Sequence, residues 1–79
     1  MIASVIADAA GYVLWAERLL EVDAFNSHVA GRMARAMDRW ATLAEPYRSA
    51  AREAIARVAA RPDLSNDVRE VVTRALEAG

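Results

Sequence analysis

With 79 residues the chain has room for one domain and not for two, and a piece this short buries only about 60% of the surface its unfolded form exposes. It contains no Cys, which excludes disulfides, thiolate metal sites and cysteine nucleophiles together. The formal charge of −1 hides an uneven distribution: residues 1–31 carry a net −3, residues 32–61 a net +4 and residues 62–79 a net −2, every basic residue being Arg.

Charged residues break each apolar stretch well short of the ~20 residues a membrane span needs, so no membrane partner is expected. The opening residues 1–7 are mildly apolar but have no positive n-region before them, which argues against a signal peptide, and the absence of Cys fits a cytoplasmic location. Residues 1–10 read as a lead-in, either a short helix or irregular. The first long helix is expected over about Gly11 to Ala24, where Tyr12, Trp15, Ala16, Leu19 and Val22 recur at three- and four-residue steps. Val13, Leu14 and Leu20 widen that stripe, and an apolar face so broad is usually buried from more than one side.

Asn26 or Ser27 is suited to cap a second helix, because its side-chain oxygen can accept an otherwise unpaired backbone N–H. Val29, Met33, Met37, Trp40 and Ala44 share one stripe of it and Arg32, Arg35 and Arg39 the other, with fraying expected near Thr42–Glu45. Pro46 fits the first turn of a third helix with Tyr47, Ala51, Ala54, Ile55 and Val58 on its apolar face and a Glu53–Arg57 pair outside. Arg61-Pro62 ends it, since the residue before Pro avoids the helical region. Ser65 caps the last helix, whose stripe is Val68, Val71, Val72, Ala75 and Leu76. No strand pattern occurs. The expected fold is all-α: about four antiparallel helices in two helical hairpins, the unit from which α-solenoids are stacked, occupying residues 1–79 as one domain.

Chemistry-bearing patterns are few. His28 is the single histidine, so the two-histidine H-E-x-x-H zinc site is absent, and Ser4, Ser27, Ser49 and Ser65 lie in no nucleophile-elbow context. Gly11, Gly31 and Gly79 are isolated and form no phosphate loop. Gly31 within a helix costs roughly 1 kcal/mol relative to Ala, which points to close approach of another helix or of a ligand, packing being the simpler cause. Glu17/Glu21 and Asp63/Asp67 have i,i+4 spacing but no histidine to complete a metal site. The Arg32/Arg35/Arg39 stripe is the feature most open to function, because guanidinium binds carboxylate and phosphate bidentately. The acidic total and the lack of helix-turn-helix spacing around Asn26 argue against nucleic acid.

The order of features is informative. Asp8-Ala9-Ala10-Gly11-Tyr12, Ala16-Glu17, Asp23, then Asn26-Ser27-His28-Val29-Ala30-Gly31-Arg32-Met33 resembles the C-terminal end of bacterial aminopeptidase N, a zinc metallo-aminopeptidase family. Arg39-Trp40, Glu45-Pro46-Tyr47-Arg48 and Leu64-Ser65-Asn66-Asp67-Val68-Arg69-Glu70-Val71, followed by Arg74-Ala75-Leu76, continue the likeness over about residues 8–78. Ser27 and His28 stand where that family has Pro-Gln, and Ala9 and Ala10 where it has a Gly-containing turn.

The resemblance implies a hydrolase that removes N-terminal amino acids from peptides, with zinc held by H-E-x-x-H and a later Glu in an upstream catalytic portion. It implies an α-helical superhelix that closes over the active site, with Arg32 at a position facing the substrate cavity. On that reading the chain binds no cofactor and is inactive alone, its partner is the remainder of the aminopeptidase, and an uncovered apolar surface favours self-association. Two other readings are an independent helical adaptor for proteins and a nucleic-acid-binding module using Arg32, Arg35 and Arg39.

Overall fold

A computed structural model describes residues 9–78, and the lead-in expected over residues 1–10 lies outside it up to residue 8. Four α-helices run Ala9–Asp23 (α1), Ser27–Arg35 (α2), Tyr47–Ala59 (α3) and Asn66–Ala78 (α4), with a 3-10 turn at Trp40–Thr42. Among the described residues there is no strand, and no helix is long and apolar enough to cross a membrane.

Both expected caps form. The Asn26 side chain accepts the Val29 N–H at 3.1 Å, and the Ser65 hydroxyl oxygen accepts the Val68 N–H at 3.3 Å. At the start of α3 the cap is different. Pro46 offers no side-chain bond, and the carboxylate of Glu45 accepts the Ser49 N–H at 3.1 Å and Arg48 Nε at 3.2 Å. Hydrogen bonds from the Ser49 hydroxyl and backbone N–H, aided by Arg48, hold the Glu45 carboxyl below its ordinary value.

The second helix is shorter than its stripe suggests. It stops at Arg35, and Ala36, Met37 and Asp38 bond back three residues instead of four, to Met33, Ala34 and Arg35 at 3.2, 3.1 and 3.0 Å. The cause is tertiary. Trp40 leaves the helical path, is buried, and donates its indole N–H to the Ala75 carbonyl of α4 at 2.8 Å. Trp15 of α1 donates likewise to the Met33 carbonyl of α2 at 2.9 Å. Each indole thus meets a carbonyl in the last turn of a helix, and that of Met33 also accepts the Ala36 N–H. The Glu53–Arg57 pair does not form within ion-pair distance; the ion pairs among the described residues are Arg18–Glu21, Glu45–Arg48 and Arg61–Asp63, all exposed.

These contacts fix the topology. Trp15 lies against Met33 and the end of α1 meets the start of α2, so the two are antiparallel. Ser27 at the start of α2 bonds Asp67 at the start of α4, while Trp40 beyond the end of α2 reaches Ala75 near the end of α4, so α2 and α4 run the same way. The α1/α2 hairpin is therefore stacked on the α3/α4 hairpin, α1 beside α3 and α2 beside α4, in a slab of 30 × 27 × 17 Å. That is the expected solenoid-like pair of hairpins.

A repeat of 39 residues underlies the stack: Tyr12, Ala16 and Leu19 are buried, and so are Ala51, Ile55 and Val58 at that offset. Alanines (Ala16, Ala30, Ala34, Ala51, Ala54 and Ala75) supply much of the core and let the helices approach closely. Val13 and Leu14, expected to widen the buried stripe of α1, are exposed.

Candidate functional site

The repeat places one face of α2 beside the matching face of α4. His28, Gly31, Arg32 and Arg35 occupy positions i, i+3, i+4 and i+7 of α2, and Asp67, Glu70, Val71 and Arg74 occupy the same positions of α4. Residues at that spacing share a helix face. Together they line a groove of about 250 Å³. Gly31 and Val71 are buried and form its floor, while the charged side chains are exposed along its walls. Because the helices run in the same direction, Asp67 and Glu70 lie toward the starting end and Arg35 and Arg74 toward the far end, with Arg32 between.

Arg32, Arg35 and Arg74 make no ion pair among the described residues, although two carboxylates line the same groove. Asp67 is engaged at 3.4 Å by the Ser27 hydroxyl. Three guanidiniums without an ion-pair partner among the described residues thus line one trough, and this arrangement can hold an anion bidentately.

Of the sequence-predicted candidates, Arg32 and Arg35 come together here, joined by His28. Arg39 does not: α2 has ended before it, and its side chain lines a separate, apolar groove with Tyr12, Trp15, Met37 and Leu43. The Asp63/Asp67 spacing is also split, since Asp63 lies before α4 and pairs with Arg61 at 3.2 Å. Glu17 and Glu21 are exposed, Glu21 pairing with Arg18. Among the described residues no three His, Asp or Glu side chains converge as metal ligands. Glu70 and Arg74 were not singled out by sequence reasoning; their i, i+3, i+4, i+7 register with Asp67, 39 residues after that of His28 and Arg32, is the signal that finds them.

The two outer faces of the stack differ in character. On α4, Val68, Val72 and Ala75 are buried against the first hairpin, and Leu64 just before it is only 8% exposed. Their repeat partners on the first hairpin are Val29, Met33, Ala36 and Phe25. All are less buried, and Phe25 is 79% exposed. The reverse holds on the other side: Ala30 and Ala34 of α2 are buried, whereas their partners Arg69 and Thr73 of α4 are exposed. One end of the slab is apolar and uncovered; the other is polar.

Over residues 6–77 the sequence matches a family described as a domain of unknown function (DUF3458_C) with ARM repeats. It is 34% identical over 67 residues to the aminopeptidase N of Caulobacter vibrioides, an alignment covering 85% of this chain and 8% of that protein. No solved structure matches. The chain thus spans less than a tenth of the length of the curated relative it resembles.

Proposed function

The chain belongs to the ARM-repeat family found at the C-terminal end of aminopeptidase N, and on that premise we propose that it is the closing, non-catalytic domain of a zinc-dependent aminopeptidase. Its role is to stack on the rest of that enzyme and to form one wall of the cavity through which peptides reach the active site. The parent enzyme removes N-terminal amino acids from peptides.

The observation that carries this reading is the asymmetry of the stack. A solenoid's terminal unit needs a polar outer face, whereas its inner face must be apolar to receive the preceding unit. Here Arg69 and Thr73 provide the polar end, and Phe25, with Val29 and Met33 beside it, provides the apolar one. A hairpin seated under α1 and α2 covers Phe25 as the first hairpin covers Leu64. Stacking at that end leaves the groove between α2 and α4 open, with Arg32 facing whatever space the superhelix encloses.

Zinc belongs to the H-E-x-x-H and later Glu of the catalytic portion. Among the described residues no three His, Asp or Glu side chains converge to hold it, and the role proposed for this chain is to bind and orient substrate. In the complete enzyme, Arg32→Ala is expected to lower kcat/KM by about tenfold, roughly 1.4 kcal/mol of lost interaction, with an effect that changes with peptide length. An unchanged kcat/KM across all lengths overturns the assignment of Arg32 to the cavity wall. An adaptor independent of any enzyme is separated from this reading by gene context, because it has no reading frame encoding H-E-x-x-H immediately upstream.

A further inference from the structure

Gly31 is unexplained by packing. It sits mid-helix, where glycine destabilises by about 1 kcal/mol relative to alanine. Its backbone is not in the left-handed region, and a Cβ built on it meets Asp67 Cβ at 3.7 Å, an ordinary van der Waals separation. Alanine therefore fits between α2 and α4, and the close approach of the two helices does not require glycine. What the missing side chain leaves open is the floor of the charged groove.

That groove has a polarity. Asp67 and Glu70 stand toward one end and Arg35 and Arg74 toward the other. At 1.5 Å rise per residue, Glu70 and Arg74 are offset by about 6 Å along the helix, and Asp67 and Arg74 by about 10 Å. Opposite charges that line one trough without ion-pairing leave the guanidinium donors, Glu70 and the second oxygen of Asp67, whose first accepts the Ser27 hydroxyl, to solvent or to a ligand carrying both signs. A dipeptide spans about 7 Å between its terminal groups. At about 250 Å³ the groove lies below the ~300–1,000 Å³ of drug-sized sites, so its occupant is small.

We propose that the groove between α2 and α4 binds a small zwitterion, a molecule with an α-ammonium and a carboxylate at dipeptide spacing. The ammonium lies against Asp67 and Glu70, the carboxylate against Arg32, Arg35 and Arg74, and the backbone of the ligand runs over Gly31. Free amino acids share this chemistry, but their charges are too close together to reach both ends of the trough. The proposal names a ligand class for the face to which the functional reading assigns Arg32, and it rests on that reading only for the source of the ligand.

The test is binding to this chain, which needs no catalysis and so is independent of the parent's activity. Amide chemical shifts of α2 and α4 are followed on titration with alanyl-alanine, alanine, N-acetyl-alanyl-alanine and alanyl-alaninamide. Alanyl-alanine is expected to shift both helices, and blocking either terminus is expected to weaken binding about tenfold or more. Tighter binding of alanine than of alanyl-alanine shows that the groove does not read dipeptide spacing and overturns the proposal. Equal binding of the N-acetyl derivative reduces the site to a simple anion trap and overturns the proposal, as does the absence of any shift.

Gly31→Ala separates ligand binding from stability: it should lower affinity about tenfold or more while leaving Tm equal or higher. Undiminished affinity in that variant overturns the role given to the groove floor. Arg35→Ala and Glu70→Gln, both at exposed positions, are expected to weaken alanyl-alanine binding without changing the fold.

Discussion

Asp23 shows how one side chain can join two elements. It ends α1, and its two carboxylate oxygens accept the Ser65 N–H at 2.9 Å and the Ser65 hydroxyl at 2.5 Å. The same hydroxyl oxygen accepts the Val68 N–H, so the carboxylate orients the cap of α4 from another hairpin. Hydrogen bonds to a charged, half-buried group contribute about 1.5–3 kcal/mol, more than neutral surface ones. Asp23→Ala is expected to destabilise the chain by about 1–3 kcal/mol in denaturant unfolding, and Ser65→Ala by about 1 kcal/mol. The double variant should cost less than the sum of the two; strict additivity shows that the two residues are not coupled. Ser65 as a cap is legible in sequence, from its place before an amphipathic run. Its partner is not, because Asp23 lies 42 residues away and nothing local distinguishes it from other acidic residues.

The elements divide by what ends them. α1, α3 and α4 fall close to their expected limits because Asn26, Arg61-Pro62 and Ser65 impose local backbone constraints. α2 does not. Its stripe of Met33, Met37 and Trp40 continues in the sequence, but the burial of Trp40 and its bond to Ala75 pull the chain into a 3-10 turn. The start of α3 carries a pH dependence. Because the Glu45 carboxyl is depressed in the folded state, its contribution is fully present above the unfolded value of about 4.3 and is lost as pH falls through the lower folded value. Thermal unfolding followed from neutral to acid pH should therefore show a steeper acid loss for the natural chain than for Glu45→Gln. Parallel curves show that the cap contributes nothing through its charge.

At the scale of the molecule, 39-residue spacing turns two similar hairpins into a stack with unlike ends. No buried side chain among the described residues is polar or charged, so cohesion comes from apolar packing and small-residue contacts, with the indole and Asp23 bonds fixing register. The uncovered apolar end predicts weak self-association of the isolated chain through Phe25. Light scattering at rising concentration is expected to show dimerisation that Phe25→Asp weakens by about tenfold or more. A natural chain that stays monomeric, or a variant that associates equally, removes Phe25 as the docking point.

Sequence alone determined the helices, most of their caps and the family likeness, because capping, proline placement and apolar periodicity act within a few residues. It placed Arg32 and Arg35 on one face of α2 for the same reason. Tertiary structure alone decided where α2 ends, why Arg39 leaves that face, and that Glu70 and Arg74 complete the groove. Each of these depends on which helix lies beside which, and that is set by burying apolar surface over the whole chain rather than by any residue's neighbours.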